Sequence, residues 1–276
     1  MEYNINFLKQ LVISVYDTIK PLLGSKQAAN KLKKGAGGDI SMHIDLVAEN
    51  AIIEFLEDKN ANLLLISEEI GEKYIGDEKI AKKKKSVLIV DPIDGSNNAV
   101  RGIPFCSVSI AYAIGDHIND IERAVVLDLT TKDIYWAEKG KGSYLNDLRI
   151  YVSDFDIPNE CFFEINLPMK NLMKNLNKLD PLIRKFYKIR ILGSSALSLC
   201  QVAKGSMEIF INMRKSNRLV DVAAGILILK EAGGRVFSLD GTEIKNPLSI
   251  NEKFPFIACN AKLELFLKEE FINKMK

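Results

Sequence analysis

The chain has 276 residues, of which 47% are hydrophobic and 27% charged, and 38 Lys and Arg against 36 Asp and Glu leave a formal net charge of +2. This composition is typical of a folded globular protein and excludes disorder as the dominant state. It also argues against nucleic acid or a membrane as the main partner, because proteins that bind these surfaces usually carry a clear basic excess. We therefore expect a small-molecule partner, and about two domains or one large one.

Cysteine and histidine are sparse. The four cysteines lie far apart without a CxxC pair, which argues against a zinc ribbon or a dense disulfide framework and predicts reduced core thiols. No stretch approaches the roughly 18 apolar residues of a membrane span, so we expect a cytoplasmic protein. The two histidines, His43 and His117, leave little room for a histidine-based metal site or nucleophile. Carboxylates must therefore carry any acid, base or metal chemistry.

The first elements are a helix, a loop and a second helix. Apolar residues recur at spacings of three and four from Ile5 to Leu22, which predicts an opening helix that ends near Pro21 and Gly24. Residues 31–38 mix lysine with three glycines, a composition that favours a mobile loop. A second helix is predicted at about Leu46 to Leu56.

Two short apolar runs of strand length then stop abruptly at carboxylates. Leu63–Ile66 is followed by Ser67-Glu68-Glu69, and Val87–Val90 is followed by Asp91-Pro92-Ile93-Asp94-Gly95-Ser96. Two buried strands that end in this way predict an acidic pocket at the carboxyl ends of a sheet. Further strands are predicted at Phe105–Ile114, Arg123–Leu129 and Asp133–Glu138.

The pattern changes near residue 150, where we place a domain boundary. Residues 1–150 are predicted to form an N-terminal metal-binding α+β subdomain, and residues 151–276 a C-terminal α/β subdomain that completes the site. The polar segment Asn171–Lys178 is predicted to be irregular. Helices are predicted at Ser194–Lys204, Asp221–Ala232 and Ala261–Met275, and strands at Arg235–Leu239 and Phe256–Cys259.

The segment from Asp91 to Ser96 carries most of the chemical information. Pro92 favours an extended Asp91 and Gly95 permits a sharp turn, so Asp91 and Asp94 should converge. If a helix starts at Ser96, the amides of Gly95 and Ser96 would form an anion site beside these acids. Acids that hold divalent cations next to amides that hold an anion suit phosphate ester hydrolysis. An isolated Asp-Gly pair is an ordinary turn, and Asp221 alone is also a good helix N-cap.

Four elements, in order along nearly the whole chain, resemble the inositol monophosphatase family of Mg²⁺-dependent, lithium-sensitive phosphatases. Residues 91–96, followed by Asn98 and Gly102-Ile103-Pro104, are similar to the first family signature. Residues 67–69 resemble its paired glutamates, and Gly193-Ser194-Ser195-Ala196-Leu197 resembles its substrate-side helix start. Residues 221–225 resemble the second signature, although Val220 stands where the family normally has Trp.

The resemblance implies a fold, a metal site and a catalytic group. The implied fold is a mixed α/β (α+β), layered α-β-α-β-α sandwich with two subdomains. Two to three Mg²⁺ ions are implied, the first held by Glu68, Asp91 and the Ile93 carbonyl, the second by Asp91, Asp94 and Asp221, and a third, weaker ion by Glu68. Ser96, held by Asp45, would orient the attacking water, and the amides of Gly95 and Ser96 would bind the phosphate. Family members are commonly homodimers, so a homodimer is expected.

The substrate side is less specific. Gly193, Ser194, Arg190 and Arg214 are candidate contacts for a substrate phosphate or hydroxyl group. Lys33, Lys34 and Asp39 belong to the glycine loop, which in the family closes over the metals, and Asp39 is a candidate third-metal residue. Asn212 replaces an acid that relatives use to bond sugar hydroxyls.

Loop length and these basic residues are most similar to the archaeal dual enzymes that hydrolyse inositol monophosphate and fructose 1,6-bisphosphate. An alternative is a 3'-phosphoadenosine 5'-phosphate nucleotidase, which shares the metal site. An alternative of another class is a regulatory relative that binds RNA or protein. The basic run Lys82–Lys85 is its main support, but this run lacks interleaved aromatic residues and is typical of a solvated edge.

Overall fold

The structure is a computed structural model that describes residues 2–36, 40–156, 158–186 and 188–272. The α-helices are α1 (Ile5–Ile19), α2 (His43–Asp58), α3 (Glu78–Lys84), α4 (Ser96–Arg101), α5 (Leu172–Ile183), α6 (Ser195–Ala203), α7 (Ala223–Glu231) and α8 (Glu264–Leu267). Shorter 3₁₀ or π turns cover Ile118–Asp120, Pro158–Glu160, Ala261–Leu263 and Lys268–Ile272. Within the described ranges, no helix has the length and apolar character needed to cross a membrane.

A small antiparallel hairpin lies where the sequence predicted only a mobile loop. It consists of β1 (Lys31–Lys34) and β2 (Ile40–Met42). The prediction of a mobile loop is therefore wrong for residues 31–34, whose backbone pairs with β2. Residues 37–39 lie outside the described residues, so the proposed role of Asp39 stays a prediction.

The first large sheet has eight strands in the order β10-β9-β8-β7-β6-β5-β3-β4. The strands are β3 (Leu63–Ser67), β4 (Gly71–Ile75), β5 (Ser86–Asp94), β6 (Ser107–Ile114), β7 (Ile121–Asp128), β8 (Ile134–Glu138), β9 (Gly142–Leu145) and β10 (Leu148–Ile150). Neighbouring strands are antiparallel except β3 and β5, which run parallel with Ser67 opposite Val90. This parallel pair places the residues that follow each strand at the same edge of the sheet.

The second sheet has five strands in the order β12-β11-β13-β15-β14. The strands are β11 (Phe162–Asn166), β12 (Lys188–Arg190), β13 (Ile209–Asn212), β14 (Arg235–Ser238) and β15 (Phe256–Cys259). β11 pairs in parallel with β12 and β13, and Asn166 lies opposite Asn212 where β11 and β13 end. The polar ends of these two strands therefore lie side by side.

The layers follow from the alternation of side chains along the strands. In β5, Leu88 and Val90 pack with the outer helices α1 and α2, whereas Val87 and Ile89 pack with α6 and α7. Phe210 of β13 joins the same central cluster from the second sheet, while its neighbouring residues pack on α5 and α8. The order helix, sheet, helix, sheet, helix confirms the predicted α-β-α-β-α sandwich.

Three further predicted elements differ from the structure. The polar segment 171–178 is mostly helix α5, because Leu179 and Leu182 bury one face of it against the second sheet. The closing helix is broken into 3₁₀, α and π turns between residues 261 and 272. Helix α7 begins at Ala223 with Val222 as its N-cap, so Asp221 is not the N-cap. The boundary expected near residue 150 falls between the two sheets, but both sheets share the α6 and α7 core, and the division into subdomains stays a prediction.

All four cysteines are buried, and none is in a disulfide within the described part of the chain. Burial raises the pKa of each thiol above its ordinary value. The thiols therefore stay protonated and act as small apolar core groups, as the sequence predicted.

Candidate active site

The carboxylates predicted from the sequence meet in one cavity at the edge where β3 and β5 end. Glu68 follows β3, and Asp91 lies near the end of the neighbouring parallel β5. Glu68, Asp91 and Asp221 each present an oxygen atom within 4.8 Å of the others. The cavity has a volume of about 490 Å³, and Asp45 and Asp94 also line it. Residues distant in sequence therefore form one acidic site.

The turn after Asp91 is held by hydrogen bonds between its side chains and its backbone. Asp91 Oδ1 accepts a hydrogen bond of 3.1 Å from the Ile93 amide, and the Ser96 hydroxyl donates to the Ile93 carbonyl at 3.0 Å. Gly95 has a φ of +89°, and a Cβ atom there would lie 3.1 Å from the Phe105 carbonyl oxygen. A glycine is required by both the conformation and the space. Helix α4 then starts at Ser96, so the condition that the sequence analysis set for an anion site is met.

Asp94 connects this turn to the start of helix α6. Its Oδ2 atom accepts hydrogen bonds of 2.6 Å from the Ser194 hydroxyl and 2.6 Å from the Ala196 amide. Ser194, a predicted substrate contact, instead holds Asp94 and caps α6. Asp94 lines the cavity but is not part of the group of three close carboxylates. Its assignment as a metal ligand stays a prediction.

Arg218 is the main site residue that the sequence analysis missed. Its backbone amide and Nε each donate to Asp221 at 3.0 Å, and a second guanidinium nitrogen lies 2.9 Å from Asp221 Oδ1. The guanidinium also donates to Glu68 Oε1. Arg218 therefore bridges the end of β3 to the segment before α7. The one signal for it in the sequence is its position three residues before Asp221, where side chains can meet.

Asp45 lies at the start of α2 and faces Ser96. Its Oδ2 atom accepts a hydrogen bond of 2.8 Å from the Met42 amide, while Oδ1 is buried without a bonded partner in the described residues. Burial raises the pKa of Asp45, an effect that the Met42 amide and the nearby Ser96 hydroxyl partly offset. A buried acceptor beside a hydroxyl is the arrangement needed to orient a water molecule.

Burial and mutual repulsion make the ionised form of these acids costly. Burial raises the pKa of Glu68 to about 8, although Arg218 opposes the shift, and Asp221 and Glu69 add repulsion. The pKa of Asp91 is raised by burial and by the charges of Glu68, Asp94 and Asp221. Protons or cations must therefore balance the cluster. Hard divalent cations such as Mg²⁺ prefer carboxylate and carbonyl oxygens, so these donors fit Mg²⁺.

The second half of the chain also lines part of the cavity wall with neutral and basic residues. Gly193 and Arg214, two of the predicted substrate contacts, line it together with Ser195, and with Asn166 and Ser216, which the sequence analysis did not single out. Asn212 is fully buried behind this wall, where it donates to Asn217 Oδ1 at 2.8 Å and accepts from the Arg214 amide at 3.0 Å. Asn212 therefore supports the Arg214 segment from behind the wall.

Arg190 does not reach the cavity wall. Its guanidinium lies 4.9 Å from the centre of the Phe162 ring and donates to the Ile189 carbonyl at 3.1 Å. The position three residues before Gly193 suggested a substrate contact, but β12 is the edge strand of the second sheet and directs Arg190 toward Phe162 of β11. The expected contact between Arg190 and substrate is not supported by this geometry.

A model of the inositol monophosphatase family matches residues 1–272. The chain belongs to the inositol monophosphatase family. The predicted resemblance is thereby confirmed over nearly the whole chain.

The proteins that are similar in sequence to this chain are named for more than one activity. The chain is 35% identical over 256 residues to a fructose-1,6-bisphosphatase/inositol-1-monophosphatase of Methanothermobacter thermautotrophicus, covering 91% of this chain and 89% of that protein. It is 34% identical over 298 residues to a bifunctional NADP phosphatase/NAD kinase of Methanococcus maripaludis, covering 100% of this chain but 50% of that protein. The chain thus spans about half the length of the latter relative.

The fold is also similar to solved structures. A crystal structure of an inositol monophosphatase-fructose 1,6-bisphosphatase superposes with a TM-score of 0.83 at 29% identity, over 97% of this chain and 98% of that one.

Glu164 is a buried acid of this inositol monophosphatase family member that lies outside the group of close carboxylates. Glu164 in β11 is 1% exposed, and its Oε1 atom accepts from the Ser198 hydroxyl at 2.8 Å and from the Leu192 amide at 3.3 Å. Its Oε2 atom is buried without a bonded partner in the described residues. Burial raises the pKa of Glu164 to about 8, although Ser198 and Leu192 oppose the shift. Glu164 is therefore a mostly protonated support for the segment that carries Gly193.

Glu164 predicts a pH dependence of stability. The folded state keeps this proton up to about pH 8, whereas the unfolded chain loses it near its ordinary pKa of 4.5. Folding therefore takes up a proton between these values, and the free energy of unfolding decreases as pH rises. Glu164→Gln mimics the protonated form. Between pH 5 and pH 8, the free energy of unfolding of wild type should therefore fall by at least about 1 kcal/mol more than that of Glu164→Gln.

Urea unfolding in EDTA at pH 5, 6.5 and 8 measures this difference. Glu57→Gln, at an exposed position of α2, is the control and should follow wild type. Equal pH slopes for Glu164→Gln and wild type would show that Glu164 is ionised in the folded protein.

Proposed function

We propose that this protein is a Mg²⁺-dependent phosphomonoesterase that hydrolyses inositol monophosphate and fructose 1,6-bisphosphate by attack of an activated water. The observation that carries the proposal is the cavity in which Glu68, Asp91 and Asp221 each place an oxygen atom within 4.8 Å of the others, beside Asp45 and Ser96. Family membership and the named phosphatase relatives support it.

The proposed metal ligands divide into overlapping groups. Glu68, Asp91 and the Ile93 carbonyl would hold the first ion, while Asp91, Asp94 and Asp221 would hold the second. Glu68 would contribute to a third, weaker ion, which gives two to three Mg²⁺ ions in all. Bound Mg²⁺ supplies positive charge that polarises water and stabilises charge on the phosphate.

The protein's own groups orient the reacting water. Because the Ser96 hydroxyl donates a hydrogen bond to the Ile93 carbonyl at 3.0 Å, its oxygen lone pairs are available to accept a hydrogen bond from that water. The buried Oδ1 atom of Asp45 is the proposed second acceptor. With Glu68 as the third member of the catalytic group, these acceptors would direct an oxygen lone pair of the water toward phosphorus.

The phosphate would bind beside this water at the Gly95 turn. The amides of Gly95 and Ser96 are its proposed donors, since both residues line the cavity at the start of α4. Arg214 and Gly193 line the cavity from the second half of the chain and would contact the rest of the substrate. Asp94 and Ser194 would keep the two halves in register through their 2.6 Å hydrogen bond.

NADP is a second candidate substrate. Two relatives named bifunctional NADP phosphatase/NAD kinase are 34% and 33% identical to this chain over 100% and 93% of its length. Arg214 and Asn166 both line the cavity. The Arg214 guanidinium suits a second phosphate group, and the Asn166 amide suits ribose hydroxyls. In this reaction the same acidic site would remove a phosphate from NADP.

We also propose a cytoplasmic homodimer. The homodimer rests on the common state of the family. The cytoplasmic setting is supported by the burial of all four cysteines, whose protonated thiols are typical of a reducing compartment.

A substrate panel with Mg²⁺ added and removed tests the proposed function. We expect inositol 1-phosphate and fructose 1,6-bisphosphate to be hydrolysed with Mg²⁺, and the rate to fall by at least about 100-fold in EDTA because the acids alone cannot stabilise a phosphate. Asp91→Asn should lose activity to a similar degree while its far-UV circular dichroism stays that of wild type. Full activity in EDTA would contradict the metal site.

The same panel distinguishes the substrates. NADP and 3'-phosphoadenosine 5'-phosphate are included, and hydrolysis of NADP alone would favour the second candidate. Salt-dependent RNA binding without phosphatase activity would favour a regulatory relative.

The position of Arg214 in the cavity predicts that its replacement raises KM for some substrates and not for others. Arg214→Gln should raise KM on the order of tenfold for fructose 1,6-bisphosphate and NADP, whose additional phosphate groups need a cation, with little change in kcat. Inositol monophosphate has no second phosphate and should change little. Lys215→Gln removes a charge from the neighbouring exposed residue and is the matched control. An equal effect of Arg214→Gln on all substrates would contradict this role.

A further inference from the structure

The guanidinium of Arg218 lies among the acids proposed to bind metal. It contacts Glu68 on one side and Asp221 on the other, and all three side chains are 12–13% exposed. These contacts join the end of the first sheet to the segment before α7. Arg218 is thus built into the site with little access to solvent.

Arg218 uses atoms that the proposed ions also need. Asp221 offers both carboxylate oxygens to it, Oδ2 to the backbone amide at 3.0 Å and Oδ1 to the side chain at 2.9–3.0 Å. Glu68 offers its Oε1 atom. A carboxylate oxygen directed at a guanidinium is not free to complete the coordination of a cation. Arginine and metal therefore compete for these two carboxylates.

The charge of the cluster explains why a cation belongs there. Burial opposes the charged form of Arg218, but the neighbouring Asp221, Glu68 and Asp91 outweigh it and raise the pKa of the guanidinium. Arg214 lines the same cavity, yet it makes no ion pair with these acids in the described part of the chain. Arg218 alone of these two arginines balances the carboxylates directly.

We propose that Arg218 is the resident counter-cation of the metal-free site, which a divalent cation must displace from Glu68 and Asp221 in order to bind. This inference rests on the metal site of the proposed function. Arg218 then stabilises the metal-free protein and weakens its affinity for Mg²⁺. The free energy that holds the guanidinium in place is subtracted from the free energy of metal binding.

Titration calorimetry of Mg²⁺ into EDTA-treated, dialysed protein tests the proposal without an activity assay. Arg218→Gln should bind Mg²⁺ tighter on the order of tenfold, because its carboxylates lack an internal partner. Arg214→Gln removes the same charge from the same cavity but no ion pair with these acids, and its affinity should stay within about threefold of wild type.

Thermal unfolding provides a second readout. Metal-free Arg218→Gln should unfold at a lower temperature than wild type, because removal of one partner leaves buried charges uncompensated. Saturation with Mg²⁺ should bring the two unfolding temperatures closer to each other, because the variant should gain more stability from the metal than wild type does. A variant that is less stable than wild type by the same margin with and without Mg²⁺ would overturn the competition.

Arg218→Lys keeps the test valid if the glutamine variant does not fold. An ammonium is a point charge that lacks the planar fork needed to bridge Glu68 and Asp221, so this variant should bind Mg²⁺ tighter than wild type by a smaller factor. Unchanged or weaker affinity in the folded variants would overturn the role of Arg218 and leave the metal site standing. Absence of Mg²⁺ binding to wild type would instead overturn the metal site itself.

Discussion

The constraint on which the site depends is the collection of several buried carboxylates in one cavity, where their charge must be balanced. Glu68, Asp91 and Asp221 present oxygens within 4.8 Å of one another, and burial raises the pKa of Glu68 to about 8. Such a cluster is costly to the fold without a cation and well suited to bind one. The same feature therefore accounts for a local cost in stability and for the proposed chemistry.

The fold produces this cluster through two features of topology. The first sheet is antiparallel except for the β3 and β5 pair, and this one parallel pair brings Glu68 beside Asp91. Helices α6 and α7 lie between the two sheets, and the segments before them supply Ser194 and Asp221. Each half of the chain thus contributes side chains that complete the other. Arg218 joins the halves in the metal-free protein through Glu68 and Asp221.

Local sequence was sufficient to predict the elements whose chemistry is local. The turn at residues 91–96 was predictable because proline and glycine restrict its backbone, and the strand before it is fully buried. Helix α5 was missed because its composition is mostly polar. Only a narrow apolar face is buried, and that burial depends on packing against the second sheet. The hairpin β1–β2 was missed because glycines suggested a loop, whereas the flanking backbone pairs.

The site residues that sequence could not place depend on tertiary contacts. Arg218 could not be assigned from sequence, because its partner Glu68 lies 150 residues away and only the tertiary fold brings them together. Arg190 was close in sequence to Gly193, but its edge strand directs it to Phe162. Local motifs identify the carboxylates proposed to bind metal. The positions of the residues that balance their charge or line the cavity depend on the packing of distant segments.

The most direct test of the central claim is a crystal structure of the protein soaked in Mn²⁺, with anomalous scattering used to locate the ions. We expect anomalous peaks within about 2.5 Å of carboxylate oxygens of Glu68, Asp91 and Asp221, with the Arg218 guanidinium moved away from Glu68. A cavity without anomalous peaks, in which Arg218 still bridges Glu68 and Asp221 at saturating Mn²⁺, would contradict it.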